Sequence, residues 1–194
     1  MPESPALLRV RLRAGAMAAL AAVTLLAAGG CTGAPGPTPA PTSSAAAESI
    51  FATDEEALAA AEAAYEKFLV ASAVMTGSGG SDTSALEAVA AGEALAAQVE
   101  SAEAYAKEHI HSTGRREFET HKLQSVEPIG KNEIAVTFYV CDDLRGLTVL
   151  REDGSSAVSP DRVVDVPYLV TVEGGEQTLK VSGKDLWERE NYCL

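Results

Sequence analysis

The side chains able to do chemistry are few and scattered. Cysteines stand at 31, 141 and 193, histidines at 109, 111 and 121, and aspartates and tyrosines recur through the second half. No Ser-x-x-Lys, Gly-x-Ser-x-Gly, phosphate loop or paired-carboxylate motif appears, so no acyl- or phosphoryl-transfer machinery is written in the chain. His109 and His111 on a helix point about 200° apart and cannot clasp one metal. With no third ligand nearby, neither a metal nor a cofactor is expected, and His109 reads as a partly buried packing residue. The groups left for general acid–base work inside a pocket are Asp165, Tyr139 and His121, with Asp142 beside them. Asp165 shares a strand face with Pro167 and Leu169, an inward placement where burial would raise its pKa. The competing reading is a surface ion pair near Arg162. Tyr65, Phe68, Tyr139, Asp165 and Trp187 are the residues a pocket would draw on; for Tyr65 and Phe68, ordinary core packing is the plainer role.

The cysteines say more about compartment than about catalysis. No C-x-x-C spacing exists, so neither redox catalysis nor zinc is suggested. If Cys31 is taken by an anchor, Cys141 and Cys193 remain as an even pair, which in an exported protein favours a disulfide over two buried thiols. That bond would close about 52 residues and stabilise by roughly 4 kcal/mol in the chain-entropy account.

The anchor is read from the N-terminus. Arg9, Arg11 and Arg13 precede the apolar run Ala14 to Ala28, followed by Gly29-Gly30-Cys31. A basic stretch, a short apolar run and small residues before a cut mark a secretory signal, and the run is too short for a transmembrane helix of about 20 residues. Cys31 directly after Ala28-Gly29-Gly30 resembles a bacterial lipobox, which implies acylation of Cys31; Ala28 stands where leucine is commoner, and cleavage without lipid is the alternative. Residues 1–30 are thus expected to be a lipoprotein signal peptide. Residues 31–52, rich in Pro, Ala, Ser and Thr, are expected to be a disordered tether. As a coil it spans roughly 25 Å, and up to about 60 Å if extended.

Charge narrows the partners. The formal net charge is −13, and beyond residue 30 there are 12 basic against 27 acidic residues. So acidic a surface disfavours phosphate-reading nucleic-acid binding and argues against attraction to anionic lipid through surface charge.

The elements that must position these residues fall into two halves. Thr53-Asp-Glu-Glu56 is a capping box that opens a helix with Leu58, Ala61, Tyr65, Phe68, Leu69 and Ser72 on one face, ending at Gly77-Ser-Gly-Gly80. Ser84-Ala-Leu-Glu87 is a second box opening a short helix. A third helix is expected from about Glu93 to His111, with Leu95, Val99, Ala102, Ala106 and His109 on one side and Gly114 capping its end. Beyond Gly114 the period changes from 3.6 to 2. Strands are expected at Glu117–Val126, Glu133–Asp143, within Leu144–Leu150, at Arg162–Val172 and at Gln177–Glu188. Asp153-Gly154 and Glu173-Gly-Gly-Glu176 are hairpin turns. Glu133–Asp143 carries strand-favouring residues on both faces and reads as central, with Asp142-Asp143 beginning a turn. Pro167 suggests a bulge or an edge register.

The expected architecture is α+β: three N-terminal helices packed on a curved, mostly antiparallel sheet of about five strands, over residues 53–194. The ordered set Asp82…Leu86…Ala91-Gly92…Leu95, Ser125-Val-Glu-Pro128, Val140-Cys-Asp-Asp-Leu144, Asp153-Gly154, Ser159-Pro-Asp-Arg162, Leu186-Trp187 and Cys193 resembles the nuclear-transport-factor-2-like cone fold. It is similar in particular to small exported actinobacterial lipoproteins of that fold. The resemblance covers about residues 50–194 and implies a disulfide between Cys141 and Cys193. The expected function is therefore a non-catalytic envelope lipoprotein, bound to the extracytoplasmic face of the cell membrane through lipid on Cys31. Its cone would bind a small apolar ligand or a protein partner. The alternatives are an isomerase-, cyclase- or dehydratase-like enzyme with an inward Asp or His, and an accessory subunit of an envelope complex. Fold analogy alone does not choose among them, and the sequence leaves the oligomeric state open.

Overall fold

The structure, a computed structural model, describes residues 50–194. The expected signal peptide, the expected acylation site Cys31 and nearly all of the expected tether lie outside the described residues. Helix α1 (Asp54–Gly77) opens as its capping box demands: the Thr53 hydroxyl accepts from Glu56 N at 3.2 Å. The Glu56 carboxylate reaches one residue further back than the box requires, accepting from Ala52 N at 3.0 Å. Asp54, Glu55 and Glu56 then place negative charge at the positive end of the helix dipole. Ala57, Ala61, Ala64, Tyr65, Phe68, Leu69 and Ser72 form its buried face, where the alanines let the helix lie close to the sheet. The chain leaves α1 through left-handed Gly79 and Gly80; a Cβ on Gly80 would sit 2.0 Å from Ala102 O, so only glycine allows that approach.

The next two helices depart from expectation. Ser84 caps nothing, because its amide and hydroxyl are both engaged by the Asp82 carboxylate, and α2 (Leu86–Val89) is a single turn. Helix α3 (Gly92–Glu108) stops three residues early, at His109 in the left-handed region with φ 52°. The chain then runs straight into an unexpected strand, β1 (Ile110–Gly114). Gly114 does not cap α3; it lets β1 pass Gly146, whose carbonyl would lie 1.9 Å from an added Cβ. The buried residues of α3 are Ala94 and Ala102, whereas Val99 is 44% exposed. The His109 side chain is exposed beside Glu152, 3.4 Å away, rather than packed. An alanine-rich helix has a shallow contrast between faces, so close approach of small residues decided its rotation.

The strands form two sheets where one was expected. β2 (Glu117–Gly130), β3 (Glu133–Asp143), β5 (Asp165–Gly174) and β6 (Lys180–Leu186) make an antiparallel sheet in the order 2-3-5-6. β4 (Leu147–Arg151) leaves that sheet to pair with β1. The Asp153-Gly154 turn forms, with Gly154 N donating to Arg151 O at 2.9 Å, but its return leg contributes only a bridge at Ser156. β5 begins three residues later than expected. The Arg162 guanidinium is held by the carbonyls of Leu144 and Leu147. Pro167 causes no bulge: its carbonyl accepts from Trp187 N, so its missing donor faces the side where β6 has already ended.

Helices cover one face of the four-stranded sheet. Ile134, Val136, Phe138, Val140, Val170, Val172 and Val181 meet Tyr65, Phe68 and Ala94 in the main core. The odd-numbered residues of β3 lie half-exposed on the other face. There Cys193 is disulfide-bonded to Cys141, with Cα atoms 5.6 Å apart. The Tyr192 hydroxyl donates to Val140 O and Tyr168 O at 3.1 and 2.8 Å, fastening the last residues to the sheet.

Candidate functional site

The pleat divides the five residues expected to share a pocket. Tyr65 and Phe68 are fully buried on the helix side, with rings 5.9 Å apart and Tyr65 edge-on to Phe118 at 4.8 Å. Tyr139 and Trp187 meet on the opposite face, 5.2 Å apart, each also against Tyr192. Asp165 lies on that same outer side, so the inward placement is wrong. Its ion-pair partner is Arg145, at 2.5 Å, and not Arg162. Strand parity explains this: Asp165 pairs with Asp143, and odd positions of β3 and β5 face away from the helices. His121 sits at an irregularity of β2, exposed and stacked on Tyr192 at 4.6 Å. None of these candidates lines a common cavity with Tyr65 and Phe68.

A different constellation occupies the helix side. The alternation that buries Ile134 to Val140 continues to Asp142, which is completely buried rather than starting a turn. The Tyr65 hydroxyl donates to its Oδ1 at 2.7 Å. Lys184 Nζ lies 3.0 Å from Oδ2 and Arg116 3.7 Å, both as ion pairs; among the described residues Oδ2 has no aligned hydrogen-bond donor. The Lys184 ammonium also rests 3.0 Å from the centre of the Tyr168 ring, a desolvated cation–π contact. Burial, and then the adjacent Asp142 charge, holds the Tyr65 hydroxyl well above the usual phenol range. Burial pulls Lys184 down to about 8 although Asp142 opposes the shift. Two cations thus share one buried carboxylate, leaving one positive charge in excess.

Arg116 carries that excess. It lies on the two-residue link between β1 and β2, with its side chain 22% exposed. Its guanidinium makes no hydrogen bond among the described residues, though it presents five donors. On one side it borders a cavity of about 340 Å³ between α3 and β6, with Gln98, Ser101, Tyr168 and Lys184. On the other it lines a groove of about 670 Å³ between α1 and the start of β2. Leu69, Val70, Ala73, Val74 and Phe118 give this groove apolar walls; Glu66 and Glu117 also line it, Glu117 paired with Arg115 at 3.6 Å. Val70 and Val74 are 51% and 46% exposed. No group of three or more metal-ligating side chains forms among the described residues.

Sequence reasoning missed Asp142, Lys184 and Arg116 as a set. For Asp142 the signal was present, since the period-2 pattern of β3 runs through it. Lys184 was hidden: the pairing shifts between Thr171 and Val172, so Val181 and Lys184, three apart, share a face. Arg116 joins them only through tertiary packing.

No family model matches this chain, and no curated protein matches it. Among solved structures the chain is similar to the crystal structure of the intermembrane space region of chloroplast protein ARC6. The TM-score is 0.39 and the identity 18%, over 65% of this chain and 92% of that one. A likeness of that size carries no argument about function.

Proposed function

We propose that this chain is an exported envelope lipoprotein, anchored through Cys31, whose α+β domain is a non-catalytic cone of the nuclear-transport-factor-2-like kind that binds a small apolar ligand. The observation that carries the binding reading is the groove between α1 and β2, where half-exposed Val70 and Val74 face Phe118 across an open cavity. Its volume falls in the range of roughly 300–1,000 Å³ common for small-molecule sites. The interior beneath the helices is filled by Tyr65, Phe68 and Phe138, so the ligand is assigned to the groove and not to the core. Export is supported by the Cys141–Cys193 disulfide, a bond that persists in oxidising compartments. No helix among the described residues is long and apolar enough to cross a membrane, and the proposed anchor is lipid.

The enzyme reading has less support, because its best-placed carboxylate is already engaged. Asp142 is inaccessible, bonded to Tyr65 and ion-paired to Lys184, while Asp165 is committed to Arg145 on the outer side.

The test uses the neutral fluorophore N-phenyl-1-naphthylamine with the full chain carrying Cys31→Ser. Saturable fluorescence enhancement is expected, weakened at least about tenfold by Val70→Asn with Val74→Asn, a loss of roughly 1.4 kcal/mol. Equal enhancement in both proteins, or none in either, contradicts the groove as a binding site. In parallel, the wild-type chain should fractionate with membranes and the Cys31→Ser chain should not.

A further inference from the structure

We infer that the groove between α1 and β2 selects a free long-chain carboxylate, its anionic head on the Arg116 guanidinium and its alkyl chain along Val70, Val74 and Phe118. This rests on the binding reading above and names the ligand class. Lys184 at 3.0 Å takes the nearer approach to Asp142 Oδ2, and Arg116 at 3.7 Å is left with a shared, unaligned contact. An arginine side chain more than three-quarters buried, whose guanidinium has no hydrogen-bond acceptor among the described residues, is expensive unless something anionic meets it. A carboxylate is the natural complement, because the planar fork of arginine matches its two oxygens.

Geometry then supplies the tail. Arg116 lines the same groove as Leu69, Val70, Val74 and Phe118, so a head held on its guanidinium lays its chain between α1 and β2. Of the two other carboxylates at the groove, Glu117 is paired with Arg115 and Glu66 is exposed on the solvent side of α1. Neither satisfies Arg116, and both disfavour a second anionic group, which points to a monocarboxylate and away from a phosphorylated headgroup. The chain carries a net charge of −13, so free anions are repelled in general. Binding must therefore come from the combined head and tail contacts.

The experiment is isothermal titration of the full chain carrying Cys31→Ser with decanoate, decan-1-ol, decyltrimethylammonium and acetate, each below its micellar concentration. Decanoate should bind one to one. Decanol should bind at least about tenfold more weakly, and acetate and the ammonium should not bind measurably. Dodecanoate should be tighter by about three- to fourfold for each added methylene that is buried. Arg116→Met should reduce decanoate affinity by about tenfold or more while leaving decanol unchanged, with the melting transition confirming the fold. Val70→Asn with Val74→Asn, both at exposed positions, should weaken both ligands and remove the chain-length dependence. Equal affinity for decanoate and decanol overturns the carboxylate inference while leaving an apolar groove. Preference for the ammonium overturns it as well. If neither decanoate, decanol nor the neutral fluorophore binds, the binding reading itself fails.

Discussion

Asp142 and Asp143 adjoin at the end of β3, yet the pleat sends them to opposite faces of the sheet. Asp142 is fully buried among Tyr65, Lys184 and Arg116. Asp143 lies beside the surface and, with Asp165, grips Arg145 in an exposed network. The backbone amide and guanidinium of Arg145 hold the Asp143 carboxyl below the usual carboxylate range. Each site contains an acid–base ion pair, and water decides what the pair is worth. On the outer side solvent screens the charges. On the helix side each charge has given up its hydration, and removing one partner strands the others.

The comparison is tested most forcefully by matched substitutions. Asp142→Asn should destabilise the chain by about 3–5 kcal/mol in chemical denaturation, because it leaves Lys184 and Arg116 buried without a counter-charge. Asp143→Asn should leave the denaturation midpoint almost unmoved. Comparable losses from the two would erase the distinction between the faces. Cutting the clasp on the outer face is expected to cost slightly less. Cys141→Ser with Cys193→Ser should lower stability by about 2–4 kcal/mol, chiefly by loosening the unfolded chain. Non-reducing peptide mapping of the wild type should recover the two cysteines joined.

A smaller effect has an unusual sign. The folded-state pKa of Lys184, about 8, lies below its unfolded value. Between the two, the unfolded chain binds the extra proton, so stability rises with pH. From about pH 7 to pH 9.5 the gain should be roughly 1–2 kcal/mol after the opposing titration of buried tyrosines such as Tyr65 begins. Thermal melts should show the rise in wild type and not in Lys184→Met. A flat or falling profile in wild type would mean that the ammonium is not desolvated as described.

Much of the frame was legible from local pattern. The bounds of β3 follow from eleven residues with strand-favouring side chains on both faces, and α1 begins where Thr53 and Glu56 place it. Cysteine parity anticipated the Cys141–Cys193 bond. What failed needed information that sequence spacing does not hold. The rotation of α3 turned on alanine contacts, β1 replaced the last expected turn of that helix, and β4 joined β1 instead of the main sheet. The candidate site was less legible than the fold. Asp165 was open to an inward place or a surface ion pair with Arg162; the register against β3 puts it outside, and the partner is Arg145. Lys184 was concealed by a one-residue irregularity, and Arg116 by lying between strands.

The two faces can finally be set against each other in one measurement, a decanoate titration of the isotopically labelled full chain carrying Cys31→Ser followed by NMR. The account predicts saturable shifts at the methyl groups of Leu69, Val70 and Val74 and at Arg116 Nε–H, with the Trp187 indole N–H unmoved. Shifts concentrated at Trp187, Tyr139 and Tyr192, with the valine methyls unchanged, would place the ligand on the outer face and contradict it.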